Sequence, residues 1–278
     1  MNPSSMRVVT GNCRALVNSA LVLMTARCEG GYKVPEFFDA TQLLPPPPTD
    51  EAARRDLDAV RAAQKSRTPK QVAEAEASIA IDAFLFGSVL GPAFTPTRVP
   101  RTAEFLTRVS RSSLPYLQAT KNRWKRLRPF VIDPTIAPLE RSLASARLSS
   151  APAPVSKGPL PPQVGSPCTA PAADSSYAPS YPSGHALVGA ILAILLAELV
   201  PERGAELCAF GREYGDARVR GGVHFPSDVE AGRILAGLLV EGMRRDKRFC
   251  ADLRTARQEL RQALGYELHG GRTVPTHS

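Results

Sequence analysis

The stretch Ala186–Val200, ALVGAILAILLAELV, most constrains what this chain can fold into. As a helix rising 1.5 Å per residue it is short for the roughly 30 Å hydrocarbon core of a bilayer, and it carries Glu198. It therefore reads as a buried core helix. No run of alternating β-branched residues occurs that could supply a sheet to cover it. The expectation is an all-α fold, a single-domain helical bundle with its core made between packed helices.

The rest of the pattern agrees. From Asp50 to about Gly91 the chain is helical in character, first EAARRDLDAVRAAQKSR and then VAEAEASIAIDAFLFGSVLG, with Pro69 near the start of the second stretch. A helix is predicted over 101–125, others over 202–215 and 226–245, and a weak amphipathic one over 251–264. Pro226 suits the first turn of the 226–245 helix. Residues 27–49 read as an extended, Pro-rich arm, and 50–265 as the helical domain. Within it, 149–182 is a loop rich in Pro, Ala, Ser and Gly. A polar tail, 266–278, closes the chain.

The first 26 residues resemble an export signal. Arg7 and Arg14 precede the apolar run Ala15–Ala26, and small residues near Thr25 and Ala26 offer a cleavage region. A periplasmic or secreted location follows as an expectation. Arg27 stands where lipidation of Cys28 would need a small residue. The five cysteines, 13, 28, 168, 208 and 250, form no CxxC or Cys/His cluster, which argues against zinc. In an oxidising compartment one disulfide among the last four is an open expectation, with no pairing specified. The net charge of +9 favours anionic partners without choosing among nucleic acid, lipid and small phosphorylated molecules.

Three segments carry chemistry. In Tyr181-Pro182-Ser183-Gly184-His185, Ser183 is a helix N-cap and Gly184 lets an anion approach the free N–H groups of the first turn. His185 would face that anion. In Arg218-Val-Arg-Gly-Gly-Val-His224-Phe-Pro-Ser-Asp228, the carboxylate of Asp228 can fold back onto one nitrogen of His224. The other nitrogen is then left as a base or nucleophile. In Lys121-Asn-Arg-Trp-Lys-Arg-Leu-Arg128-Pro129, Lys121 and Arg128 are seven apart and share a helix face that Pro129 terminates. Arg123, Lys125 and Arg126 point largely elsewhere. Taken singly, each segment has a plainer reading: a capped helix, a surface ion pair, a solvated basic face.

Taken together, Lys-x6-Arg-Pro, Pro-Ser-Gly-His and Arg-x5-His-x3-Asp resemble the tripartite signature of the type 2 phosphatidic acid phosphatase superfamily. That superfamily includes soluble acid phosphatases, membrane lipid phosphatases and vanadium haloperoxidases. LLPPPPTDEA at 43–52, SYPSGHA at 180–186 and GDARVRGGVHFPSDVEAGR at 215–233 extend the likeness to the bacterial class A non-specific acid phosphatases. The likeness runs from about Tyr32 to Arg245. Two departures are visible: the Pro-rich 149–180 stretch is longer than is usual there, and Ala217 stands where a serine commonly precedes the arginine.

The resemblance implies an acid phosphatase that hydrolyses small phosphomonoesters, releases inorganic phosphate and is often dimeric. It implies His224 as nucleophile, Asp228 orienting it, and His185 as general acid and base. Lys121, Arg128, Ser183, Gly184 and Arg218 would bind the phosphoryl group. No metal or other cofactor is implied, vanadate is an expected inhibitor, and transfer of phosphate to an alcohol is chemically open. The rival readings are a vanadium haloperoxidase, a soluble lipid phosphate phosphatase and a nucleic-acid-binding protein. The last leaves both histidine motifs unexplained, so neither nucleic acid nor stable membrane insertion is expected.

Overall fold

A computed structural model describes residues 30–139 and 179–267, apart from Phe37 and Ala80. The expected signal segment, Cys13, Cys28 and Cys168, most of the 149–182 stretch and the tail beyond Glu267 lie outside the described residues. In chain order the helices are α1 (Ala40–Leu43), α2 (Asp50–Ser66), α3 (Pro69–Ala77), α4 (Gly87–Leu90), α5 (Pro100–Trp124) and α6 (Pro129–Ile132). After the undescribed stretch come α7 (Gly184–Leu199), α8 (Gly204–Arg220), α9 (Pro226–Met243) and α10 (Lys247–Leu264). Single 3₁₀ turns occupy Ala83–Phe86 and Pro201–Arg203. No strand occurs among the described residues, and the fold is all-α.

The apolar stretch singled out above is α7, the centre of the bundle. It packs chiefly against α8 and α9, and also against α5 and α10. Ala186, Leu187, Ile191, Leu195, Leu196 and Leu199 are buried. They join Phe105, Leu106 and Val109 of α5, Leu207 of α8, Leu235 and Leu239 of α9, and Phe249 and Leu260 of α10 in one core. Each large apolar side chain so buried contributes about 1.5–3 kcal/mol on leaving water. A smaller cluster of Leu57, Val60, Phe130, Ile136, Val223 and Phe225 lies apart from it.

Close approach sets the position of α9. A Cβ on Gly232 would fall 2.6 Å from the carbonyl oxygen of Ser183 and 3.0 Å from the nitrogen of Leu187. Only a glycine lets α9 press this tightly on the start of α7, and that contact unites two of the motifs.

Several sequence expectations are refined. The helical region after Asp50 is broken at Arg67–Thr68, where Thr68 and Gln71 form a reciprocal capping box ahead of Pro69. The arm is not wholly extended: Asp39 caps one helical turn, α1. Tyr32 is buried, donating its N–H to Ser112 Oγ and its hydroxyl to Asp252 Oδ2, each at 2.7 Å. Helix α10 begins four residues earlier than expected, because Asp246 caps it through the Arg248 N–H and Phe249 then enters the core. Cys208 and Cys250 are free thiols.

Helix α5 corrects the reading of the basic segment. It ends at Trp124, and Lys125 takes the left-handed conformation with φ 46°. Arg128 therefore does not share a helix face with Lys121; it caps α6, which Pro129 opens rather than terminates.

Candidate active site

Each motif is placed by a local rule. Ser183 caps α7, its hydroxyl accepting the Ala186 N–H at 3.3 Å. His185 thus stands in the first turn of the most deeply buried helix. Tyr181-Pro182 is a cis peptide bond, and the Tyr181 hydroxyl donates to the Pro45 carbonyl at 2.5 Å, tying the arm to the site.

The third motif is a tight return from α8 to α9. Gly221 caps α8, and Gly222 adopts φ 71°, a conformation that other residues adopt at a cost. The Arg218 carbonyl accepts the N–H groups of Val223 at 3.1 Å and His224 at 3.3 Å. That fold-back fixes the Arg-x5-His spacing. Val223 and Phe225, on either side of His224, are both buried in the smaller apolar cluster. His224 is held between two anchored neighbours, itself 2% exposed.

Two backbone hydrogen bonds knit the motifs together. Ser183 donates its N–H to the Asp228 carbonyl at 2.9 Å, and Ser180 donates its N–H to the Arg126 carbonyl at 2.8 Å. Segments more than 40 residues apart in sequence therefore share one framework.

Within it, His224 Nδ1 lies 3.3 Å from Asp228 Oδ2 and 3.3 Å from Ser180 Oγ. The same carboxylate oxygen accepts the Ser180 hydroxyl at 2.5 Å and the Phe225 N–H at 2.9 Å. Asp228 Oδ1 accepts Arg126 Nη1 at 2.7 Å. Burial alone would raise the Asp228 carboxyl, but Arg126, then His224 and Ser180, hold it well below the carboxylate range. An ionised Asp228 places the His224 proton on Nδ1 and leaves the Nε2 lone pair available. Arg128 Nη1 lies 3.4 Å from that Nε2 and 2.8 Å from the Val223 carbonyl.

Burial first, and Arg128 second, push the His224 imidazole down to about 3 against the pull of Asp228. It is neutral at every ordinary pH. Burial, then Arg128, likewise lowers the Lys121 ammonium to about 7. Lys121 Nζ donates to the Pro179 carbonyl. His185 is pushed well below its usual range, by burial first and then by Arg218 and other charges including Arg128. Its Nε2 is 3.0 Å from the Ile79 carbonyl, so it donates there. Arg218, 2% exposed, reaches the Ala75 carbonyl at 3.4 Å.

The sequence-named residues Lys121, Arg128, Ser183, Gly184, His185, Arg218, His224 and Asp228 thus come from one framework, with their charges in mutual electrostatic reach. Ala217, the departure before Arg218, is buried against the bundle. Arg126, set aside in the sequence as pointing elsewhere, is only 3% exposed and bonds Asp228 directly. The unanticipated left-handed turn at Lys125 redirects it. Ser180, Asp56 and Ser227 were also missed. Asp56 lies 70 residues before Arg126, and no spacing rule links them. Among the described residues no group of three or more His, Cys, Asp or Glu side chains is arranged to hold a metal ion. Nor is any helix among them long and apolar enough to cross a membrane.

The profile of the PAP2 superfamily matches residues 105–248, a span that contains every one of these motif residues. The chain is 32% identical over 234 residues to a non-specific acid phosphatase of Salmonella typhimurium, covering 81% of each chain. It is 31% identical over 234 residues to a non-specific acid phosphatase of Salmonella typhi, again covering 81% of each. An acid phosphatase of Zymomonas mobilis is 30% identical over 166 residues, which is 60% of this chain and 52% of that one.

Proposed function

This chain belongs to the PAP2 superfamily as a class A non-specific acid phosphatase, a phosphoric monoester hydrolase, and from that premise we propose that it works through a phosphohistidine on His224 with no metal ion in the reaction. The observation that carries this reading is the neutral His224, with Asp228 on Nδ1 and a guanidinium beside the opposite nitrogen.

In the first half-reaction His224 Nε2 attacks phosphorus in line. The N–P bond forms as the bond to the ester oxygen breaks, and Asp228 stabilises the positive charge that grows on the ring. Arg128, Arg218 and Lys121 neutralise the phosphoryl oxygens, with the Ser183 hydroxyl and the first N–H groups of α7 as further donors. Three preorganised cations supply the charge stabilisation that a metal would otherwise give. His185 protonates the departing oxygen. In the ligand-free chain burial and the Arg218 charge disfavour its protonated form, and a bound phosphoryl group, opposing the Arg218 and Arg128 charges, raises its affinity for a proton. In the second half-reaction His185 takes a proton from water as the water oxygen attacks phosphorus. The N–P bond breaks, and inorganic phosphate leaves with His224 neutral again. An alcohol in place of that water would accept the phosphoryl group instead.

The named relatives are phosphatases, which favours this reading over the haloperoxidase one. The basic, apolar start of the chain and the relatives' kind support a periplasmic or secreted site of action, with vanadate as an inhibitor that occupies the phosphoryl position.

The test is hydrolysis of p-nitrophenyl phosphate from pH 4 to 9 with excess EDTA, with and without vanadate. Acid-side activity that survives EDTA and is lost to vanadate is expected. Activity removed by EDTA and restored by a divalent cation would refute the metal-free route.

A further inference from the structure

Behind the His224–Asp228 pair lies a second layer of charge that the reaction as described does not use. Arg126 is 3% exposed and sits between two carboxylates. Its Nη1 bonds Asp228 Oδ1 and Ser227 Oγ, each at 2.7 Å, and its Nη2 bonds Asp56 Oδ2 at 2.7 Å. Asp56 is itself fixed, accepting the Ser227 N–H at 3.1 Å and the Ser227 hydroxyl. The guanidinium lies 3.9 Å over the ring of Phe225, the residue between His224 and α9. The Arg126 backbone takes part too, since its carbonyl holds the Ser180 N–H while the Ser180 hydroxyl bonds Asp228 Oδ2.

We infer that Arg126 is a positioning residue for phosphoryl transfer: anchored by Asp56 and Ser227, it fixes the rotation of the Asp228 carboxylate, and through it the tautomer and orientation of His224. This rests on His224 being the nucleophile. The Arg126 side chain holds Oδ1, while its backbone carbonyl, which any residue at 126 would keep, holds the Ser180 N–H beside Oδ2. With Oδ1 held from behind, Oδ2 is left to face His224 Nδ1. A methionine at 126 would leave Asp228 buried without its cation, and such a carboxylate rotates or takes up a proton. Either change releases the Nδ1 proton from its partner and mixes the two imidazole tautomers. The side-chain bonds of Arg126 all run to the back of the site, away from the Nε2 face where phosphate is attacked. Its loss should therefore slow the chemistry without weakening binding.

The experiment compares R126M, R126K, D228N and the R126M/D228N double variant with wild type, on p-nitrophenyl phosphate and in phosphoenzyme trapping, with H224A as control. Folding is checked by circular dichroism and melting. For R126M, kcat should fall about ten- to a hundredfold, the range for removing groups that orient a working imidazole, while KM and inhibition by phosphate hold. R126K should recover part of the loss. The double variant should be no slower than D228N alone, because Arg126 acts through Asp228. The ¹⁵N shifts of the His224 ring should report a mixed tautomer in R126M, which a merely structural role would not produce. Raised KM with kcat intact, losses that multiply in the double variant, or unchanged kcat in a folded R126M would each overturn the inference. Should R126M not fold, D56N removes one anchor only. A fall in kcat at constant KM in D56N supports the role, and unchanged kinetics refute it. Phosphoenzyme persisting in H224A would instead strike at the nucleophile, separately from Arg126.

Discussion

Arg128 Nη1 lies 3.4 Å from His224 Nε2, the ring nitrogen opposite the one that faces Asp228. In the proposed mechanism, the guanidinium that would draw a phosphoryl oxygen into the site is thus beside the lone pair that would attack phosphorus. On that mechanism binding and nucleophilic attack would share one place, and the geometry would meet part of the cost of bringing the reactants together.

Asp228 is the group on which the His224 tautomer depends. D228N keeps the shape but loses the charge that holds the Nδ1 proton. By analogy with the corresponding change in serine protease triads, kcat should fall by about a hundredfold to ten-thousandfold. Steady-state kinetics on p-nitrophenyl phosphate measure this. Near-normal kcat would remove Asp228 from the mechanism.

With Lys121 as a phosphate-binding cation, the proposed mechanism predicts an alkaline limit. Its ammonium, lowered to about 7, is charged below that pH and loses its charge above it. His224, lowered to about 3, stays neutral throughout this range, the form that the proposed attack requires. Activity should therefore extend well to the acid side, while KM rises above pH 7 by at most about tenfold per pH unit for one proton lost. Arginine stays charged, so K121R should flatten the rise. KM measured from pH 5 to 9 decides the point, and the same rise in K121R would assign it to another group.

His185 as leaving-group acid makes a prediction about substrates. H185A should slow alkyl phosphates, whose alkoxides need a proton, about a hundredfold or more beyond its effect on activated aryl phosphates. The ratio of kcat/KM for the two ester types reads this out. Equal losses would assign His185 to the hydrolysis of the intermediate alone.

Much of this was legible in the sequence because it is local. The N-cap at Ser183, the entry of α9 at Pro226 and the His224–Asp228 spacing are set by residues within a few positions of each other. The burial of Ala186–Val200 is equally local, since its own composition requires it. The basic segment was harder. A helical reading through Arg128 is natural until Lys125 turns left-handed, and that one backbone change sends Arg126 inward to Asp228 and Arg128 to His224. The partnership of Arg126 with Asp56, and the approach of α9 to Ser183 through Gly232, depend on tertiary packing across many residues. No periodicity encodes them.

The central claim is the covalent bond to His224, and rapid-quench trapping of the protein with a ³²P-labelled phosphomonoester tests it most directly. The account predicts an acid-labile, base-stable label on wild type, mapping to the peptide that contains His224 and absent from a folded H224A variant that no longer turns over. Label on another residue, or turnover persisting in H224A, would contradict it.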